Sequence, residues 1–154
     1  MAGRIDARLK ELGIEFKPAP PPAGNYVPAA TTGNLVFIAG QVPIEDGQRK
    51  FIGKLGKEYQ TADGQKAARL CAIGILNRLK DAYDLDRVAR CVKLVGFVNS
   101  MPDFTDQPTV INGASDLMVQ VFGDAGKHAR SAIGVASLPF GCAVEVEAIF
   151  EIKA

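Results

Sequence analysis

A chain of 154 residues with 47% hydrophobic and 23% charged residues is long enough to form one domain around its own core, and too apolar to stay disordered. Its 18 Lys and Arg against 17 Asp and Glu leave a formal net charge of +1, so no global field gathers polyanions, and neither nucleic acid nor a membrane surface is an expected partner. Three cysteines, Cys71, Cys91 and Cys142, lack a C-x-x-C spacing and argue against both a disulfide framework and a zinc site. No signal peptide is evident, which makes the cytosol the expected compartment. Apolar runs such as Leu35 to Ala39 are about a quarter of the ~20 residues that a bilayer span requires.

Ile5, Leu9 and Leu12 recur at helical spacing before Gly13, and predict a short first helix. Prolines 18, 20, 21 and 22 then exclude helix or central strand, so the chain runs extended as a strap. This division separates an N-terminal helical extension, residues 1–15, from a single main domain, residues 16–154. Leu35 to Ala39 reads as a buried strand between Gly33-Asn34 and Gly40, followed by a loop to about Gly56. From Thr61 to Tyr83 the period changes: Ala68, Ala72, Ile75, Leu76, Leu79 and Tyr83 mark an amphipathic helix with Thr61 as its cap. Asp86 to Arg90 reads as a short capped turn and Cys91 to Val98 as a strand.

A second long helix is expected from Thr109 to Phe122, ended by Gly123-Asp124-Ala125-Gly126. Two strands follow, Ser131 to Ser137 and Ala143 to Ile152, with a turn around Pro139-Phe140-Gly141. In the last strand Val144, Val146, Ala148, Phe150 and Ile152 share one face and Glu145, Glu147 and Glu151 the other. The order predicts an α+β layer, with two main helices on one face of a mixed sheet. Two helices cannot cover both faces. The second face carries Ala143 and Ile149 among its glutamates, so a further copy of the chain is expected to hide it.

Nucleotide signatures are missing: there is no G-x-G-x-x-G and no G-x-x-x-x-G-K-[ST]. His128, the only histidine, sits between Lys127 and Arg130 and reads as an exposed loop residue, which leaves little for a Ser-His-Asp triad or a histidine metal site. Arg130 lies at the mouth of an apolar strand, where a guanidinium fork can take a carboxylate; its plain alternative is a surface arginine. Glu145, near the start of the last strand, can orient a water, or is merely the solvent-side member of an alternating pattern. Asn112, early in the second long helix, and Tyr26, after Gly24-Asn25, are each explicable as structural residues.

Taken together, these positions resemble a family. Pro22-Ala-Gly-Asn-Tyr26, Ile38-Ala-Gly-Gln-Val-Pro43, Ala129-Arg-Ser-Ala-Ile-Gly-Val-Ala-Ser-Leu-Pro139 and Val144-Glu-Val-Glu-Ala-Ile149 are similar to the YjgF family, also called Rid, the reactive intermediate deaminases. The resemblance covers residue 16 to the C-terminus. It implies a chorismate-mutase-like α+β fold, a homotrimer with a cleft at each subunit interface, and hydrolysis of enamine and imine intermediates to a 2-oxo acid and ammonia. By position it implies Arg130 as carboxylate binder, Glu145 as water-orienting residue, and Tyr26, Gly40, Gln41 and Asn112 as cleft residues, with the Ala132 amide assisting. No metal or other cofactor is expected.

Two departures stand out, Ala39 where the archetype has serine and Ala132 where it has cysteine, and an insertion around Asp103 to Pro108 marks a divergent subgroup. They leave two further readings open: a trimer that binds small carboxylates without turnover, and an endoribonuclease or translation inhibitor, which the near-zero charge and the absence of Trp disfavour.

Overall fold

Helix α1 (Arg4–Glu11) opens the chain, which a computed structural model describes over residues 3–154; Met1 and Ala2 of the expected extension lie outside the described residues. Gly3 has no side chain with which to cap α1, and the cap comes from far along the chain. The Asp86 carboxylate accepts the Arg4 and Ile5 amides, each at 2.9 Å. Ile5, Leu9 and Ile14 are buried in the same cluster as the rest of the core, so α1 packs as part of it. The proline strap runs on without regular structure, tied to the next helix by Asn77 and Arg78, which donate to the Lys17 and Pro20 carbonyls.

Strands β1 (Ala29–Thr32) and β2 (Leu35–Gln41) form a hairpin through Gly33-Asn34, and a small second hairpin, β3 (Ile44–Glu45) and β4 (Gln48–Arg49), turns at Asp46-Gly47. β1 and the second hairpin were not expected; both are short and mostly exposed, and carry no apolar pattern. Helix α2 (Thr61–Ala82) starts one residue earlier in its capping than predicted. Gln60 is the cap position, and its amide donates to the Asp63 carboxylate at 3.0 Å, while Thr61 is already helical and donates to Asp106. Strand β5 (Val88–Asn99), helix α3 (Gln107–Phe122), strand β6 (Ala129–Val135) and strand β7 (Val144–Ile152) follow.

Five strands form one sheet in the order β1-β2-β7-β5-β6, antiparallel except for the parallel β5–β6 pair. Helices α2 and α3 cover one face, as the α+β reading predicts, and the core lies between: Leu94, Val146 and Phe150 from the sheet meet Ile75, Leu79, Ile111 and Leu117 from the helices. The two helices touch at Gly113, where any Cβ would strike the Gln65 carbonyl of α2. No described helix is long and apolar enough to cross a membrane.

The other face is left uncovered by the described residues. Phe37 and Ile133 are 42% and 46% exposed on it, and a depression of about 380 Å³ is lined there by Val27, Phe37, Ala39, Val95 and Ile149.

Candidate functional site

Arg130 belongs to the helix-covered side. In the parallel β5–β6 register it lies opposite Leu94, which is fully buried under the helices, so alternation turns its side chain the same way. There Nη1 donates to Asn112 Oδ1 at 2.7 Å and to Ser115 Oγ at 3.2 Å, both on α3. Nε and Nη2 make no hydrogen bond among the described residues. Because β6 is an edge strand, this anchored guanidinium stands at the border of the subunit with its free edge available.

Glu145 belongs to the open side. It pairs across β7–β5 with Phe97, one position out of phase with buried Val144 and Val146. The side chain is partly buried, and burial raises its carboxyl above the usual glutamate value, with the charge of Glu147 adding to the effect. Its carboxylate rests against Gly40, leaving no room there for a Cβ.

A bulge produces that contact. Ile38 pairs with Ala148 but Gln41 with Val146, so three steps on β2 oppose two on β7, and the extra residue at Ala39–Gly40 inverts the alternation. Gly40 is thereby brought beside Glu145, and Gln41 swings to the helix side, against Gly74 of α2. Gln41 Nε2 donates back to the Ala39 and Gly40 carbonyls at 2.9 and 3.2 Å and braces the bulge.

The expected site residues therefore fall into two groups on opposite faces. Arg130, Asn112 and, two residues further along β6, Ala132 form one; Glu145 and Gly40 form the other, braced from behind by Gln41. Tyr26 stands 55% exposed beside Val27 at the rim of the open face.

His128 departs from expectation. It is half-buried, with Nδ1 2.7 Å from the Gly126 carbonyl and Nε2 2.9 Å from Ser115 Oγ, because the turn after α3 folds the chain back onto that helix. Ser115 is a functional neighbour outside the residues expected from sequence. Spacing holds the signal for both: Ser115 is three residues after Asn112 on a helix, and His128 two before Arg130 at a strand entrance, so each shares a face with a predicted site residue.

A mixed sheet with two helices on one side, an anchored arginine at its edge and a partly buried carboxylate on its bare face defines a chorismate-mutase-like α+β protein. The chain belongs to the family described as "YjgF/chorismate mutase-like, putative endoribonuclease", whose model matches residues 6–151. It is 48% identical to Protein TCP17 of Trypanosoma cruzi over 99% of this chain and 96% of that one. A 2-iminobutanoate/2-iminopropanoate deaminase of Dermatophagoides farinae is 29% identical over 88% of this chain and 91% of its own. A solved structure of a protein of unknown function from Agrobacterium tumefaciens superposes with a TM-score of 0.89 at 47% identity, covering 97% of this chain and 94% of that one.

Proposed function

We propose that this protein hydrolyses small imino acids and their enamine tautomers to 2-oxo acids and ammonia, as a homotrimer whose clefts join the Arg130 side of one subunit to the Glu145 side of the next. The carrying observation is the guanidinium of Arg130, fixed through Nη1 by Asn112 and Ser115 while Nε and Nη2 stay free, since that free edge matches a carboxylate in a bidentate fork. The separation of Arg130 and Glu145 onto opposite faces supports a cleft shared between copies, and the apolar bare face supports their association.

In this reading the substrate carboxylate lies on Arg130, with Asn112 and the Ala132 amide beside it. Glu145 accepts a proton from water as the water oxygen bonds to the imine carbon and passes it to the nitrogen, giving a carbinolamine; it then takes the proton of the new hydroxyl as the carbonyl forms and delivers it to the nitrogen, so the C–N bond breaks and ammonia leaves. Gly40 lets Glu145 approach, Gln41 holds the bulge that places Gly40, and Tyr26 closes the rim. The reaction is intrinsically easy, so orientation supplies most of what is needed.

A second reading, a trimer that binds carboxylates without turnover, is favoured by the methyl groups of Ala39 and Ala132 where the family pattern has hydroxyl and thiol groups. An imino acid generated in situ by a serine or threonine dehydratase separates the two. The deaminase reading expects faster ammonia release with this protein and none of the gain with Arg130→Ala. Equal rates with and without protein, together with a melting temperature raised by 2-oxobutanoate, would favour binding alone.

A further inference from the structure

A guanidinium held by one side chain can pivot about that contact, and Arg130 has a second holder whose own orientation is controlled. The Gly126 carbonyl can only accept, so at 2.7 Å it fixes the proton of a neutral His128 on Nδ1. Nε2 is then a bare acceptor, and the Ser115 hydroxyl 2.9 Å away donates to it. With its proton committed, Ser115 Oγ presents lone pairs alone, and Arg130 Nη1 donates into one at 3.2 Å. The direction of every bond from Arg130 to Gly126 thus follows from one carbonyl.

We propose that His128, acting through Ser115, is a positioning residue that sets the orientation of the Arg130 fork for a substrate carboxylate. This rests on the reading of Arg130 as carboxylate binder given above. Neither His128 nor Ser115 needs to touch the substrate.

The surroundings keep the ring neutral. Burial lowers the pKa of His128, the Gly126 carbonyl opposes that, and the Arg130 charge adds to the lowering. Of the other charged groups nearby, Lys127 and Asp124 on the turn pair with each other at 3.2 Å, and Asp116 on α3 is exposed. A protonated ring would donate from Nε2, release the serine proton and place a second cation behind Arg130.

The experiment combines kinetics with nitrogen NMR of the full-length protein. His128→Phe fills the half-buried space but removes the acceptor, and Ser115→Ala removes the link. Each is expected to raise KM for the imino acid about tenfold with a smaller change in kcat. The double variant should be no worse than either single one, and His128→Gln, which keeps an acceptor oxygen, should recover most of the loss. The resting protein should show His128 protonated at Nδ1. An unchanged KM in both single variants, additive losses, or a ring protonated at Nε2 would overturn the proposal. If the unsubstituted protein turns over no imine, the deaminase reading falls on its own, and calorimetric affinity for 2-oxobutanoate in the same variants decides the positioning role. Weaker binding in both variants then supports it, and equal affinity in all three proteins overturns it.

Discussion

The two faces of the sheet solve the same problem to different degrees. On the helix side Arg130 is finished within one chain: Asn112 and Ser115 hold it, and His128 holds Ser115. On the bare side Glu145 accepts no hydrogen bond from the described residues, its carboxylate rests against Gly40, and apolar side chains on the same face are exposed to water. The group proposed to bind is therefore preorganised within the single chain, whereas the group proposed to act on water has no hydrogen-bond partner among the described residues. The difference makes assembly, and not folding, the step that would complete the site.

The strongest way to break that comparison is to charge the bare face. In Ile133→Glu, association would bury an unpaired carboxylate in every subunit, at several kcal/mol each, so the proposed trimer and the proposed activity are expected to disappear together. The monomer should stay folded, because Ile133 is 46% exposed on the isolated chain. Sedimentation and circular dichroism check this: a trimeric variant would show that the bare face is not the interface, and an unfolded one that the subunit does not fold without its partners.

Next in size are the two halves taken singly. Arg130→Ala removes two charge-assisted hydrogen bonds to the carboxylate, worth about 1.5–3 kcal/mol each, so kcat/KM should fall by roughly 10²- to 10³-fold or more. Glu145→Gln keeps the shape and removes the base, with a loss of about 10²-fold or more. Mixing the two inactive variants after dissociation sharpens the comparison: one cleft in four combines an intact Arg130 with an intact Glu145, so about a quarter of the activity should return. No recovery from efficiently mixed trimers would mean that both groups act within one subunit.

Legibility in the sequence divides along the same line. Helices α2 and α3 and strand β7 follow from periodicity because each presents one wholly buried stripe, and β7 displays the face of Glu145 directly. The face of Arg130 does not follow from β6, whose apolar residues do not alternate into the core; it is set by pairing with Leu94. The Ala39–Gly40 bulge exists only against β7, so the opposed orientations of Gly40 and Gln41 were invisible in a motif that names them side by side. Arg130 and Glu145 are candidates from their places at the mouth and start of strands, with the family resemblance tipping the balance against the plain alternatives, whereas His128 reads as a loop residue because its two-residue spacing from Arg130 does not reveal that the turn folds back onto α3.

A smaller effect tests the electrostatics of the bare face. Burial and Glu147 both raise the Glu145 carboxyl, so a reaction needing its ionised form should lose rate on the acid side at a pH above the usual value of 4.5. Glu147→Gln removes one of the two causes and makes ionisation easier. The acid limb of kcat/KM should move to lower pH while the burial contribution remains. An unmoved limb would assign it to another group.

The smallest effect concerns a region that belongs to neither half. The Ile5 amide, and then the Arg4 amide, hold the Asp86 carboxyl below its usual value. A lowered folded-state pKa means that this stabilisation is complete above the unfolded value near 3.8 and is lost as pH falls through the folded one. Asp86→Ala, which removes the cap, should cost about 1 kcal/mol or less at pH 7, since solvent screens the site. That is a Tm shift of about 2–4 °C, shrinking in strong acid. Activity should not change: α1 reaches only the last turn of α3, where Arg8 Nε donates to the Gln120 carbonyl at 2.7 Å, while Asn112 and Ser115 lie in its first half. A loss of activity in Asp86→Ala larger than its loss of stability would show that α1 helps to hold the arginine side after all, and that the preorganised half of the site extends to the N-terminus.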